Sequence, residues 1–183
     1  MIAPAEQAHY AGNTPAAAPF GFSHVTVVTP DLDRFRAFYE DVVGLRTAVV
    51  VRTTEPPHVR HAMLLVNDAS IVHAFELPGY DPVAAGIGRE MFARGRIDHL
   101  GFMVASVAEL ETVRDRLVAV GASDGTVIPH GPVHAVHFVD PDGLEGDINA
   151  VNTAWDPSQE TGHVVEDEPV PEMFARLVAA AVR

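Results

Sequence analysis

The chain repeats itself. S-H-V-T-V-V-T-P-D-L-D-R-F-R-A-F-Y-E-D-V-V-G-L begins at Ser23, and D-H-L-G-F-M-V-A-S-V-A-E-L-E-T-V-R-D-R-L-V-A-V-G-A begins at Asp98. Each copy opens with a His on an alternating apolar run, His24 in one and His99 in the other. Each then reaches a helix start, with Asp31 and Ser106 as N-caps and Ser106 with Glu109 as a capping box. Phe35, Phe38, Tyr39 and Val42 recur at helical spacing, as do Leu110, Val113 and Leu117. Gly44 and Gly121 follow the two helices at the position where a left-handed backbone is wanted. A repeat on this scale confines the fold to two like modules.

The β-type runs complete each copy. They are 47–52, 61–66 and 70–77 in the first, and 126–128, 133–139 and 144–151 in the second, the last two joined by the turn D-P-D-G, Asp140–Gly143. Both halves therefore read β-α-β-β-β, an α+β class. The offset from the leading His to the last strand is nearly the same in the two copies. It lands on His73 in the first and on Asp147 in the second, so equivalent positions carry metal-capable groups. On the strand 70–77, Ile71, His73 and Phe75 share one face and Val72, Ala74 and Glu76 the other. A lone His in that setting is more often a hydrogen-bonded core residue than a ligand. The duplicated placement shifts the weight toward function. His134 and His137, three apart on one strand, point to opposite faces, and His137 is favoured for the site. His9, His58, His61 and His163 receive no role.

Length and composition narrow the chemistry. The 183 residues suffice for two small modules. Module one is read as 21–79, a Gly-rich linker as 80–95 and module two as 96–152. Residues 1–20 form an Ala/Pro-rich extension expected to lack fixed structure. The tail 153–183 is acidic and then carries a short helix with Pro171 in its first turn; it reads as a solvated extension, with a dimer contact or a cover over the site as the alternative. The formal net charge of -13 repels phosphate backbones and anionic bilayers, so neither nucleic acid nor membrane is an expected partner. No apolar run is long enough to span a bilayer and no signal peptide opens the chain, so a cytoplasmic location is expected. With no cysteine, thiolate metal sites and a Cys nucleophile are excluded, and a metal would need His, carboxylate or water ligands. No Ser-His-Asp arrangement stands out, and Gly86-Ile87-Gly88 lacks the strand-turn-helix setting of a phosphate loop.

The stretches His24–Leu45, D-H-L-G-F-M-V (Asp98–Val104) and H-F-V-D-P-D-G-L-E-G-D-I (His137–Ile148) resemble the vicinal oxygen chelate superfamily. Its members include glyoxalase I, methylmalonyl-CoA epimerase, fosfomycin and bleomycin resistance proteins and extradiol dioxygenases. The likeness runs in order from about Phe22 to Asn152. It implies a U-shaped sheet around a metal, with ligands from the first and last strand of each module. Carried over, those positions are His24, His73, His99 and Asp147. Asp147 stands where the family usually has Glu, and Glu145, two residues earlier on the same face, could replace it.

Two His and one carboxylate leave an open face on a six-coordinate metal, as in non-haem iron(II) enzymes that use oxygen. The resemblance to small extradiol dioxygenases implies ligands at His24, His99 and Asp147. It implies a second-sphere acid/base at His73, with His130, in the loop before the penultimate strand, and His137 beside the substrate. His137 stands where that family has Tyr. Fe(II) is the expected metal, with Mn(II), Ni(II) or Zn(II) as substitutes. The expected partners are a catechol-like small molecule, O2 and a second copy of the chain in a homodimer. If His73 ligates instead, four protein ligands suit redox-neutral glyoxalase- or epimerase-type chemistry. A metal-free drug-binding resistance protein is the third reading. The 7% aromatic content and the imidazoles at ligand positions argue against it.

Overall fold

The computed structural model describes residues 22–54, 56–82, 84, 97–156 and 179. The readings of the N-terminal extension, of most of the linker, and of the tail helix lie outside the described residues. The chain divides into two compact units, Met1–Tyr80 and Asp81–Arg183. Among the described residues no helix is long and apolar enough to cross a membrane.

The first unit runs β1 (His24–Thr29), α1 (Leu32–Ala37), a π-helical continuation (Phe38–Val43), β2 (Arg46–Arg52), β3 (Arg60–Leu65) and β4 (Ile71–Glu76). The sheet order is β1-β4-β3-β2, with β1 parallel to β4 and the other neighbours antiparallel. The helix starts where expected: Asp31 is the N-cap and its carboxylate accepts from the Arg34 N–H. Its second half differs from the expectation of one regular α-helix. The widened winding buries Phe38, Tyr39, Val42 and Val43 together, and Gly44 N–H donates to Tyr39 C=O before Gly44 turns left-handed at φ 98°. This apolar face packs on the buried side of β3 and β4, where Ala62, Leu64 and Ala74 have no exposed surface. Glu76 lies on the same side. Its carboxylate accepts from the Leu32 N–H at 3.1 Å and pairs with Arg60 at 3.2 Å, tying the helix start to the sheet.

The second unit runs β5 (Leu100–Met103), α2 (Val107–Ala119), β6 (Val127–His130), β7 (Val133–Val139) and β8 (Glu145–Val151). Its order, β5-β8-β7-β6, repeats the first unit's pattern, with β5 parallel to β8. Ser106 caps α2 by accepting from Glu109 N–H, and Glu109 returns a carboxylate oxygen to the Ala105 N–H, one residue earlier than the usual capping box. Leu110, Val113 and Leu117 pack with Val136, Phe138, Ile148 and Ala150, all buried. The D-P-D-G turn is held by Asp140, whose buried carboxylate accepts from the N–H groups of Asp142 and Leu144. β6 is longer than expected: Pro129 sits within it, as an edge strand allows, and His130 is its last residue instead of a loop residue.

Gly146, beside Asp147, has no room for a side chain: an added Cβ would overlap the ring of Phe138 and touch the Leu100 carbonyl oxygen. Phe138 is 2% exposed and cannot swing away. Gly146→Ala is therefore expected to cost about 1–3 kcal/mol. Chemical unfolding checks this, and an unchanged midpoint would show the ring to be mobile.

Candidate functional site

In each unit the helix covers one sheet face, and the chemistry-bearing side chains stand on the other. On the first unit's open face, Thr26 and Met63 flank His73 in register, and Ile71 is in register with His24. The rings of His24 and His73 are 6.3 Å apart, edge to face. His61, in register with Phe75, belongs to the same face, and its Nδ1 lies 2.8 Å from His73 Nε2. Sequence reasoning missed His61. The signal was available, since alternation along β3 puts His61, Met63 and Leu65 together. Burial lowers the pKa of His73 from its ordinary value, and the neighbouring imidazoles of His61 and then His24 lower it further.

The second unit presents a different set. Gly101 and His137 flank Asp147 in register, so all three share the open face with Glu145. His134 lies opposite Ala150 and Pro129 on the other side of the sheet, as the odd spacing predicted. His130 comes edge to face with His137 at 5.8 Å between centroids. His99 immediately precedes β5 instead of lying within it. Its position relative to Asp147 matches that of His24 relative to His73. Each leading His sits two residues before the partner of the key residue: Gly101 pairs with Asp147, Thr26 with His73.

The residue before each leading His fixes its ring. His99 Nδ1–H donates to the Asp98 carboxylate at 3.0 Å. His24 Nδ1 is 2.9 Å from Ser23 Oγ. Both contacts engage Nδ1 and leave Nε2 as the nitrogen that could bind a metal. The sequence showed Ser23 and Asp98 as the openings of the two repeats, but gave no sign that their side chains turn back.

Asp147 keeps a buried oxygen that its surroundings leave unsatisfied. Its Oδ1 is buried and has no hydrogen-bond partner among the described residues. His99 Nε2 is 3.9 Å from Oδ2, beyond hydrogen-bond reach. The carboxylate occupies the space that a side chain at residue 101 would fill: a Cβ there would meet Oδ1 at 2.7 Å. That is why the D-H-L-G-F-M-V stretch carries Gly at this point. A buried, partnerless carboxylate oxygen beside an imidazole with its tautomer fixed suits a cation. Among the described residues no three His, Asp or Glu side chains form a ready-made metal cage.

Two β-α-β-β-β units, with His24 and His73 on the open face of the first and Asp147, with His99 beside it, on that of the second, define a duplicated βαβββ fold. The chain belongs to the Glyoxalase/Bleomycin resistance protein/Dioxygenase superfamily, whose family model matches residues 21–146. Similar solved structures include a glyoxylase/bleomycin resistance protein/dioxygenase domain from Frankia sp. EAN1pec, 22% identical, with a TM-score of 0.60 over 74% of this chain and 95% of that one. A glyoxalase/dioxygenase from Nostoc punctiforme is 20% identical with a TM-score of 0.55, over 77% and 99%. The fosfomycin resistance protein FosX from Listeria monocytogenes, complexed with Mn(II) and sulfate, is 15% identical with a TM-score of 0.53, over 75% and 97%. At these identities the likeness is one of fold. No curated protein matches the sequence.

Proposed function

We propose that the chain is a divalent-metal-dependent enzyme of extradiol-dioxygenase type, using Fe(II) and O2 on a catechol-like substrate. In this reading His24, His99 and Asp147 hold the metal. The observation that carries it is the buried Asp147 Oδ1, without a hydrogen-bond partner among the described residues, beside a His99 whose Nδ1 is committed to Asp98. Bound there, the metal would supply Lewis acidity toward substrate oxygens and electron transfer toward O2.

His73 is the proton carrier. Its lowered pKa keeps it neutral near pH 7, able to accept a proton from a substrate hydroxyl and return it later. The first unit's open face carries no carboxylate among the described residues of its strands, and Glu76 is turned to the helix side and held by Arg60. Acid/base work on that face therefore falls to imidazole. His137, in register with Asp147, and His130 beside it would line the substrate.

A second reading rests on Glu145, which shares the open face with Asp147 and could act as carboxylate base in redox-neutral, glyoxalase- or epimerase-type chemistry. FosX with its bound Mn(II) lends that reading a metal precedent on the same fold.

The test is anaerobic loading with Fe(II), Mn(II), Ni(II) or Zn(II), followed by a catechol panel in air. Oxygen uptake with a yellow ring-fission product is the expected result with Fe(II). Turnover of a hemithioacetal or an acyl-CoA without oxygen would replace the first reading by the second. Tight ligand binding by protein that takes up no metal would overturn both.

A further inference from the structure

We propose that His61 is a positioning residue for His73: its Nδ1 hydrogen-bonds His73 Nε2 and fixes the ring so that Nδ1 is the nitrogen His73 presents to substrate. The inference deepens the reading of His73 given above and rests on it.

The argument starts from ring nitrogens. A neutral imidazole has one N–H and one lone pair, and a metal ligand must present a lone pair. The two leading imidazoles are tethered at Nδ1, His24 by Ser23 and His99 by Asp98, with Nε2 left over. His73 is tethered the opposite way, at Nε2, with His61 Nδ1 at 2.8 Å. When His73 Nε2–H donates to His61 Nδ1, His73 Nδ1 carries the lone pair and is the atom left to accept a proton from substrate. This sets His73 apart from His24 and His99, which are held at Nδ1 and present Nε2.

His61 is itself held. Its ring stacks on Phe75 at 4.9 Å with 17° between planes, and Phe75 also packs against His73 at 4.4 Å. Phe75 thus acts as a platform that keeps both imidazoles at hydrogen-bonding distance. The contact depends on the β3–β4 register, which sets His61 diagonal to His73.

The experiment uses the full chain, labelled with 15N-histidine and free of metal, and reads ring nitrogens by two-bond 1H–15N correlation. His73→Ala assigns the His73 signals. In the parent, His73 should populate one tautomer with a hydrogen-bonded Nε2. His61→Phe keeps the stack on Phe75 but removes the nitrogen, and His73 should become a tautomer mixture. His61→Asn, which returns a polar group near Nδ1, should restore much of the parent pattern. His61→Ala gives the same comparison without added bulk if the Phe variant does not fold. His73 nitrogen shifts unchanged in H61F or H61A would overturn the proposal. After Fe(II) loading, H61F should retain the parent's metal content while kcat falls about 10–100-fold with KM little changed. A metal-free parent would defeat the functional reading alone, since the ring-nitrogen result needs no metal.

Discussion

Asp147→Asn is expected to abolish metal binding while leaving the metal-free protein at least as stable as the parent. The two effects share one cause. The Asp147 carboxylate is held over Gly101 with a buried oxygen that no described residue satisfies. Leaving a buried polar atom unpaired costs about 1–3 kcal/mol, more for a charged group. Asn has the same shape without the charge, so the metal-free variant escapes part of that cost. With metal the order reverses. A cation at 100 times its Kd adds about 2.7 kcal/mol to the parent, worth roughly 5–10 °C in Tm for a chain of this size. The Asn variant should lose that shift and at least about 100-fold in metal affinity, the upper end of what even an outer-sphere change costs. Thermal unfolding with and without metal reads both. A metal-free D147N that melts well below the parent would mean the carboxylate has a structural partner and is not waiting for a cation.

His73→Ala should fail differently. Loss of a positioned acid/base typically slows turnover by about 10²–10⁴-fold. Metal content should stay near the parent's, because in the proposed reading His24, His99 and Asp147 hold the metal and His73 does not. His99→Ala should lose metal and rate together. The pH dependence of stability gives an independent check on the metal-free protein. Folding lowers the His73 pKa below its ordinary 6.5, through burial first and then the charges of His61 and His24. The unfolded chain therefore takes up a proton that the folded chain resists. The His73 contribution makes stability fall as pH drops below about 6.5 and is absent well above it. H73A should lose that part of the acid sensitivity. Loss of metal in H73A would make His73 a ligand and favour the redox-neutral alternative.

The duplicated modules were legible because hydrophobic period and capping are local properties. Asp31, Ser106, Gly44 and Gly121 all sit where the sequence put them, at helix ends that depend on a few neighbouring residues. What escaped depended on contacts between strands. His61 lay within a run already read as a strand, yet which β3 residues face His73 is set by register. His130, placed by the resemblance in the loop before the penultimate strand, ends β6 instead; an edge strand tolerates Pro129 where a central strand would not. The π-helical stretch was hidden for another reason. Phe38, Tyr39, Val42 and Val43 fit an ordinary amphipathic pattern, and only packing decides which winding buries all four. Gly101 was visible as a glycine, but that it makes room for the Asp147 carboxylate could not be read before β5 and β8 were paired.

The most direct measurement is the metal content of the full chain after anaerobic loading with Fe(II) and removal of excess ion, by inductively coupled plasma mass spectrometry. One equivalent per chain is predicted, kept by H73A and lost by D147N and H99A. A parent that returns empty, or a D147N variant that keeps its metal, would contradict the assignment of Asp147 as the carboxylate ligand.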